Sequence, residues 1–469
     1  MESEEKQPKQ HGMLLVIAGG LAQFIVCADY FAVAVALPPM AKDLGVRAID
    51  LQWVITGYIL TFCAVLAIAG PLGDRYGRKK LLLLGVVLFA LISVWVGLSD
   101  SAGMVIAARI ALGVAGGLLF PLAIAVVSFA SSKARLARNI AILSGVTMLG
   151  SAVGPVLGGV LADTLGWRWI FFANVPVCAV AFLMVLFVAR ESRDEAVSGR
   201  LDVGGIVLLL LAIGAISVGI DRIPAWSMLH WVLLLGGGVV LLIAFIALEL
   251  YLKSPIIDLR LFGNRVFTGN ALTGLLSNSA WCMLVFIVTL QMQKVLHFGV
   301  LKAGLFFLFL SSTVGLASFT APIFERRIGT VMLLRIGLVF QVVGLFLLFI
   351  VDSPVGLAIG LSIAGVGCSL GWTMPQAGAI HKLPHEKAGL ASSSILTVMI
   401  LSGNTAIVVV AMLIDLYPND VAGEAAGIRL SFLIAACSAA LALFCAWVLL
   451  RSSDSPRSDE SESEELAAA

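Results

Sequence analysis

Apolar residues in this chain run together for about twenty positions at a time, and each run is closed by a short cluster of glycine, proline or charge. Such runs fall near 13–37, 50–70, 81–98, 103–130, 139–161, 169–189, 203–221, 231–251, 266–293, 301–323, 332–351, 355–379, 388–415 and 427–450. A helix crossing a hydrocarbon core ~30 Å thick needs roughly 20 apolar residues at about 1.5 Å each. A transmembrane β-barrel would alternate polar and apolar positions, and these runs do not. The pattern predicts an all-α polytopic membrane protein with about 14 transmembrane helices.

Composition strengthens this reading. Of 469 residues, 60% are hydrophobic and 12% charged, so most side chains have lipid or protein to face and not water. A net charge of +2 gives no reason to expect nucleic acid as a partner. The placement of charge says more than its sum. With loops assigned alternately to the two sides, twenty-two of the 30 lysines and arginines fall on one side and seven on the other, with Arg109 inside a helix. Positive charge marks the cytoplasmic side, so both termini are expected there. The first apolar run has no small-residue cleavage site and is expected to remain as a signal-anchor helix. All seven cysteines lie in apolar runs, where packing is the expected role and a disulfide framework is not.

The two ends of the chain echo each other at an offset of 251 to 254 residues. Pro71-Leu72-Gly73-Asp74-Arg75 parallels Pro322-Ile323-Phe324-Glu325-Arg326, Gly113 and Pro121 parallel Gly367 and Pro375, and Gly150 parallels Gly403. The expected organisation is a cytoplasmic tail (1–12), a six-helix bundle (13–189), a linker carrying an inserted helix pair (190–265), a second six-helix bundle (266–450) and a disordered acidic cytoplasmic tail (451–469). Two pseudo-symmetric bundles with a cavity between them suit alternating access.

Gly70-Pro-Leu-Gly-Asp-Arg-Tyr-Gly-Arg-Lys-Lys80 joins the second and third runs. It sets Asp74, Arg75 and Arg78 among Gly70, Gly73 and Gly77, a tight connection able to act as a latch. There Asp74 is expected near helix N-termini, which favour a carboxylate, and the arginines within reach of carboxylates of the other bundle. The alternative is that these charges only set topology.

Asp29 and Arg109 stand apart, because an ionisable group deep in a span is expensive and is kept mostly for a pathway or a relay. Counting from the helix starts places Asp29 roughly 25 Å from the cytoplasmic side and Arg109 roughly 9 Å below the outer side, within error of one level. A contact that forms and breaks between such groups is a way to load and release a proton, and the alternative is a static ion pair. Glu249 and Asp415 lie near helix ends and are expected at the interface. His381 and His385 have the spacing of a two-ligand metal face, but Pro384 interrupts any helix there, so no metal is expected. No phosphate-binding loop of the Walker type is present, which argues against ATP as the driving force.

The Gly70–Lys80 segment resembles the cytoplasmic loop signature of the major facilitator superfamily at every defining position. Asp29-Tyr-Phe-Ala-Val-Ala-Val-Ala-Leu-Pro38 is similar to the first-helix signature of its fourteen-helix drug:proton antiporter branch. The segment Gly150-Ser-Ala-Val-Gly-Pro-Val-Leu-Gly-Gly159 resembles that branch's fifth-helix antiporter motif, carried by Gly150, Gly154, Pro155, Gly158 and Gly159. Trp167-Arg-Trp-Ile-Phe-Phe-Ala-Asn-Val-Pro176 is similar to the start of its sixth helix, and Trp53, Tyr58 and Gln291 also fall where the branch has them. The departures are Phe31 and Ala34, where the branch has Thr and Asn, and Leu112, where it has Gln. They point to a more apolar cavity wall. The fifth-helix glycines bare one helix face and Pro155 permits a bend; ordinary small-residue packing explains the same spacing.

The resemblance implies the major facilitator fold and a proton-coupled exporter, an antiporter of amphipathic or cationic small organic molecules, in a bacterial inner membrane. It implies no enzyme activity and no cofactor, with substrate, protons and lipid as partners and a monomeric chain. A dedicated transporter of one metabolite, such as a siderophore, lipid or amino-acid derivative, is the alternative that the apolar departures favour. A membrane sensor without transport is more remote, since no soluble partner domain is visible. Candidate cavity residues, being polar or aromatic within spans, are Gln23, Tyr58, Asn270, Asn278, Trp281, Gln291, Trp372, Gln376 and Asn404. Interhelical hydrogen bonding is the competing role for each.

Overall fold

A computed structural model describes residues 11–47, 50–131, 133–193, 203–223, 226–252, 259–381, 385–418 and 421–451. The acidic tail expected after 451 and nearly all of the N-terminal tail lie outside the described residues, as do 194–202, 224–225 and 253–258 of the expected linker.

Among the described residues there are fourteen α-helices and no strand. They are α1 (His11–Leu44), α2 (Gln52–Tyr76), α3 (Arg78–Gly97), α4 (Ala102–Phe129), α5 (Lys133–Thr164), α6 (Arg168–Val188), α7 (Val203–Asp221) and α8 (Met228–Tyr251), followed by α9 (Arg265–Leu290), α10 (Val300–Ile328), α11 (Thr330–Ile350), α12 (Pro354–His381), α13 (His385–Asp415) and α14 (Val421–Leu449). Twelve are long and apolar enough to cross a membrane, and α2 makes a thirteenth if its two parts, bent by 48° between Leu66 and Ile68, form one span. The bend has a covalent cause: Pro71 cannot donate to the carbonyl four residues earlier, at Ala67, and its ring crowds that group. Helix α7 contributes a shorter apolar stretch, Val207–Ile220. The count of fourteen helices therefore agrees with the sequence pattern, while fourteen full spans are not met by length and hydropathy alone.

Large apolar side chains cover the outside. On α8 the buried residues are Gly238, Phe245 and Glu249, while Leu233, Val240 and Ile243 are exposed; on α3 Leu84, Val87 and Leu91 are exposed. Surfaces of this kind have no place in water and suit a bilayer. Glu249, expected at the interface, lies two residues from the end of α8 and is turned into the protein.

The helices gather into two compact units. The first holds residues 1–201 with 299–305, and the second holds 202–298 with 306–469, so that the inserted pair α7–α8 belongs with the second. Within the first, α1 packs on α4, α5 and α6, and α3 packs on α4 and α6. Within the second, α9 packs on α12, α13 and α14, and α11 packs on α12 and α14. The internal sequence echo is thus an echo of packing. It extends to the links: Gly77 (φ 109°) is the single residue between α2 and α3, and Gly329 (φ 82°) the single residue between α10 and α11. Positive φ suits glycine, which lets two long helices turn on one residue.

Candidate transport site

The first unit buries a charged cluster built from four helices. Asp29 on α1 is 1% exposed and Arg109 on α4 is fully buried, and the two form an ion pair, Arg109 Nη1 donating to Asp29 Oδ2. Arg109 Nε donates to the Val54 carbonyl of α2 at 3.1 Å. Its guanidinium lies 4.2 Å from the centre of the Tyr58 ring and 5.8 Å from that of Phe171. An arginine suits this place because its weakly hydrated, planar cation stacks on aromatic faces while its edge donates. Asp29 Oδ1 accepts from Asn174 Nδ2 of α6 at 3.0 Å. Two donors of the cluster, Arg109 Nη2 and the Tyr58 hydroxyl, have no hydrogen-bond partner among the described residues.

The glycines of the fifth helix set α1 in place. A Cβ at Gly150 would lie 2.5 Å from the Phe24 carbonyl oxygen, at Gly154 2.6 Å from that of Ala28, and at Gly158 2.5 Å from that of Ala32. Three glycines four apart therefore face three α1 carbonyls four apart, and no larger residue permits that approach. Pro155 lies within α5, and Gly159 meets Val300 and Gly304 in the stretch 299–305 that belongs to this unit. At the other end of α1, Trp167 Nε1 and Arg168 Nη1 both donate to Asp43, at 3.0 and 2.5 Å, and Arg168 Nη2 reaches the Ser99 carbonyl at 3.2 Å. The tryptophan–arginine start of α6 is a clasp on α1 and α3.

The Gly70–Lys80 segment is more helical than its glycines suggest: α2 carries Gly70, Gly73, Asp74 and Arg75 and runs to Tyr76, and α3 begins at Arg78. Asp74 Oδ1 accepts from Arg78 Nε at 2.7 Å across Gly77, and the Arg75 guanidinium lies 5.5 Å from the Tyr76 ring centre. The carboxylate at the start of α3 is not Asp74 but Glu191, which follows α6 and accepts from the backbone N–H groups of Lys79 (3.1 Å) and Lys80 (3.2 Å). A Cβ at Gly77 would lie 2.8 Å from that carboxylate, which would have to shift to make room, so the demand for glycine there comes from the positive φ. Glu191 is 112 residues from Lys79, and no local signal in the sequence marks it.

The remaining candidates divide by contact. Gln23 bridges α1 to α4 and α5, donating to the Phe120 carbonyl and accepting from Thr147, both at 2.7 Å. In the second unit Asn278 donates to the Met399 carbonyl at 2.6 Å, Asn270 to the Val266 carbonyl of its own helix at 2.8 Å, and Asn404 to Ser217 of α7 at 3.4 Å. Gln291 opens a π-helical turn, Gln291–Val295, and is buried with no partner for its Oε1 among the described residues. Trp281 and Trp372 meet edge to face at 6.1 Å, both half-buried, and Gln376 donates to the Trp372 carbonyl at 2.8 Å. A buried pair missed by sequence reasoning is Gln341 and Ser277, which exchange hydrogen bonds at 2.8 and 3.0 Å. Phe31, Ala34 and Leu112 are all packed inside the first unit. His381 ends α12 and His385 begins α13; their side chains, and Pro384, lie outside the described residues. No group of His, Cys, Asp and Glu able to hold a metal occurs among the described residues.

The sequence profile of the Major Facilitator Superfamily matches residues 19–406 and, again, 270–469. The chain belongs to this superfamily. It is 31% identical over 385 residues to the multidrug resistance protein Stp of Mycobacterium tuberculosis, covering 81% of this chain and 72% of that one. It is 29% identical over 414 residues to the tetracenomycin C resistance and export protein of Streptomyces glaucescens, covering 87% and 76%. The crystal structure of a D-xylose–proton symporter has the same fold, with a TM-score of 0.69 at 15% identity over 94% of this chain and 98% of that one. The protein is a multi-pass integral membrane transporter of the superfamily.

Proposed function

We propose that the protein is a proton-coupled exporter, an antiporter that carries amphipathic or cationic small organic molecules across a bacterial inner membrane by alternating access. Supporting the substrate class and direction are relatives whose names describe drug resistance and export. The observation that carries the mechanism is the closed ion pair of Asp29 and Arg109, because a superfamily transporter without ATP chemistry needs a titratable group inside the span to couple to a proton gradient. Arg109 holds the pair in one state, and its unpaired Nη2 and the Tyr58 hydroxyl offer donors to an acceptor in the other. The half-buried Trp281–Trp372 pair supplies aromatic faces of the kind that attract organic cations. Asp74 with Arg78, and the glycine stripe of α5, act as the latch and the seal of the cycle. Both termini face the cytoplasm, residues 13–189 and 266–450 are the two moving bundles with 190–265 between them, and one chain suffices.

Purified protein in liposomes with an imposed pH gradient and a panel of fluorescent lipophilic cations tests the proposal. Wild type is expected to move at least one of them uphill, whereas Asp29→Asn, nearly the same in size but unable to titrate, binds it and loses uphill transport. Full proton-driven transport by Asp29→Asn refutes the role of Asp29 and moves coupling to Asp415, Glu249 or another ion.

A further inference from the structure

The two carboxyl oxygens of Asp29 are served from different helices by partners of different chemistry. Oδ2 faces the Arg109 cation of α4, and Oδ1 accepts from Asn174 Nδ2 of α6 at 3.0 Å. The same nitrogen lies 3.3 Å from Ser93 Oγ of α3, and Asn174 and Ser93 are 8% and 0% exposed. A guanidinium only donates, so it serves a carboxylate and offers nothing to a carboxylic O–H. A primary amide donates through nitrogen and accepts through oxygen, and a hydroxyl does both, so the amide can turn to either state of the acid while the serine follows. The ionisable groups around Asp29 are Arg109, Tyr58 of α2 and Cys178 of α6, with Cys27 and Cys63 next to Tyr58 in turn. None of these serves both states of the acid from hydrogen-bonding distance.

We infer that Asn174, backed by Ser93, is a positioning residue that keeps the Asp29 carboxyl hydrogen-bonded and in place in both of its charge states, so that Arg109 can release it. The inference rests on the reading of Asp29 as the proton carrier. Once the cation has left, a buried carboxyl without a second partner would bear the full cost of an unsatisfied polar group. With Asn174 it loses one partner and keeps the other instead.

Infrared difference spectra of the purified protein in lipid, recorded between acidic and alkaline buffer, test this without any substrate. Wild type is expected to show a carboxylic C=O band that Asp29→Asn lacks. In Asn174→Leu, which keeps the branching at Cγ but has no polar atom, that band is expected to move to the higher wavenumber of a carbonyl with no hydrogen-bond partner. Ser93→Ala, which leaves the amide in place, is expected to move it the same way by less, and it keeps the test available if Asn174→Leu does not fold. A band unchanged in the folded variants overturns the inference and leaves the coupling role of Asp29 standing. A spectrum with no band that depends on Asp29 overturns both.

Discussion

Two opposite charges shut away from water are stable only as a pair. Removing ions from water costs several kcal/mol each, and the attraction between Asp29 and Arg109 offsets this while both are present. Arg109→Met keeps much of the packing against Tyr58 but strands a buried carboxylate, and is expected to lower stability by about 3–5 kcal/mol. Adding Asp29→Asn to it should restore most of that loss. Thermal unfolding of the three variants in one detergent checks the prediction, and a double variant no more stable than Arg109→Met alone would show that the pair is not the cause. At this scale the sequence is legible where a residue contradicts its surroundings: Asp29 and Arg109 are ionisable groups in apolar runs, and the structure brings them together. Asn174 and Glu191 are not legible in this way. One is a neutral amide among many in spans, and the other is an acid in a charged segment whose partner lies 112 residues away. Gln23 shows the limit from the other side, since a lone polar residue in a span reads equally as a cavity residue or as the bridge that it makes to Phe120 and Thr147.

At the scale of elements, apolar run length and glycine spacing carried most of the information. Fourteen runs correspond to fourteen helices, and for the twelve long and apolar enough to cross a membrane the reason is that a helix in lipid must satisfy its own backbone, so it cannot stop until the chain leaves the bilayer. The ends were harder: α2 continues through Pro71 and Asp74 to Tyr76, since proline bends a helix without ending it when the preceding turns are held by packing. The α5 stripe makes a sharper point. At Gly158 a Cβ would come within 2.5 Å of the Ala32 carbonyl, which is backbone and cannot turn aside, so Gly158→Val must push α5 from α1. The expected cost is about 1–3 kcal/mol, as for other overpacked contacts, together with loss of transport, because the displaced helix is the one that carries Asp29. Gly103→Val on α4, where a Cβ meets nothing within 4 Å, is the matched control. Equal melting temperatures for the two variants would mean that the stripe is not a close contact.

At the scale of the whole molecule, the repeat and the distribution of positive charge make a claim about sidedness that packing alone does not. If α2 is one bent span and α7, 19 residues or about 28 Å long, is another, the number of crossings is even, which would put both ends of the chain on one side. The excess of lysine and arginine in alternate loops is what leads us to propose the cytoplasm for that side, because such charge resists translocation. The prediction has two arms. In a chain whose seven native cysteines are replaced, Ser455→Cys near the C-terminus should escape an impermeant maleimide in intact cells, and Arg222→Cys, just after α7, should react. Permeabilising the cells should make both react, which removes poor local reactivity as an explanation. Labelling of both positions in intact cells would mean an even number of crossings between them, so that one helix from α8 to α14 does not span. Labelling of Ser455→Cys alone would reverse the orientation altogether, and with it the side on which the Gly70–Lys80 latch works.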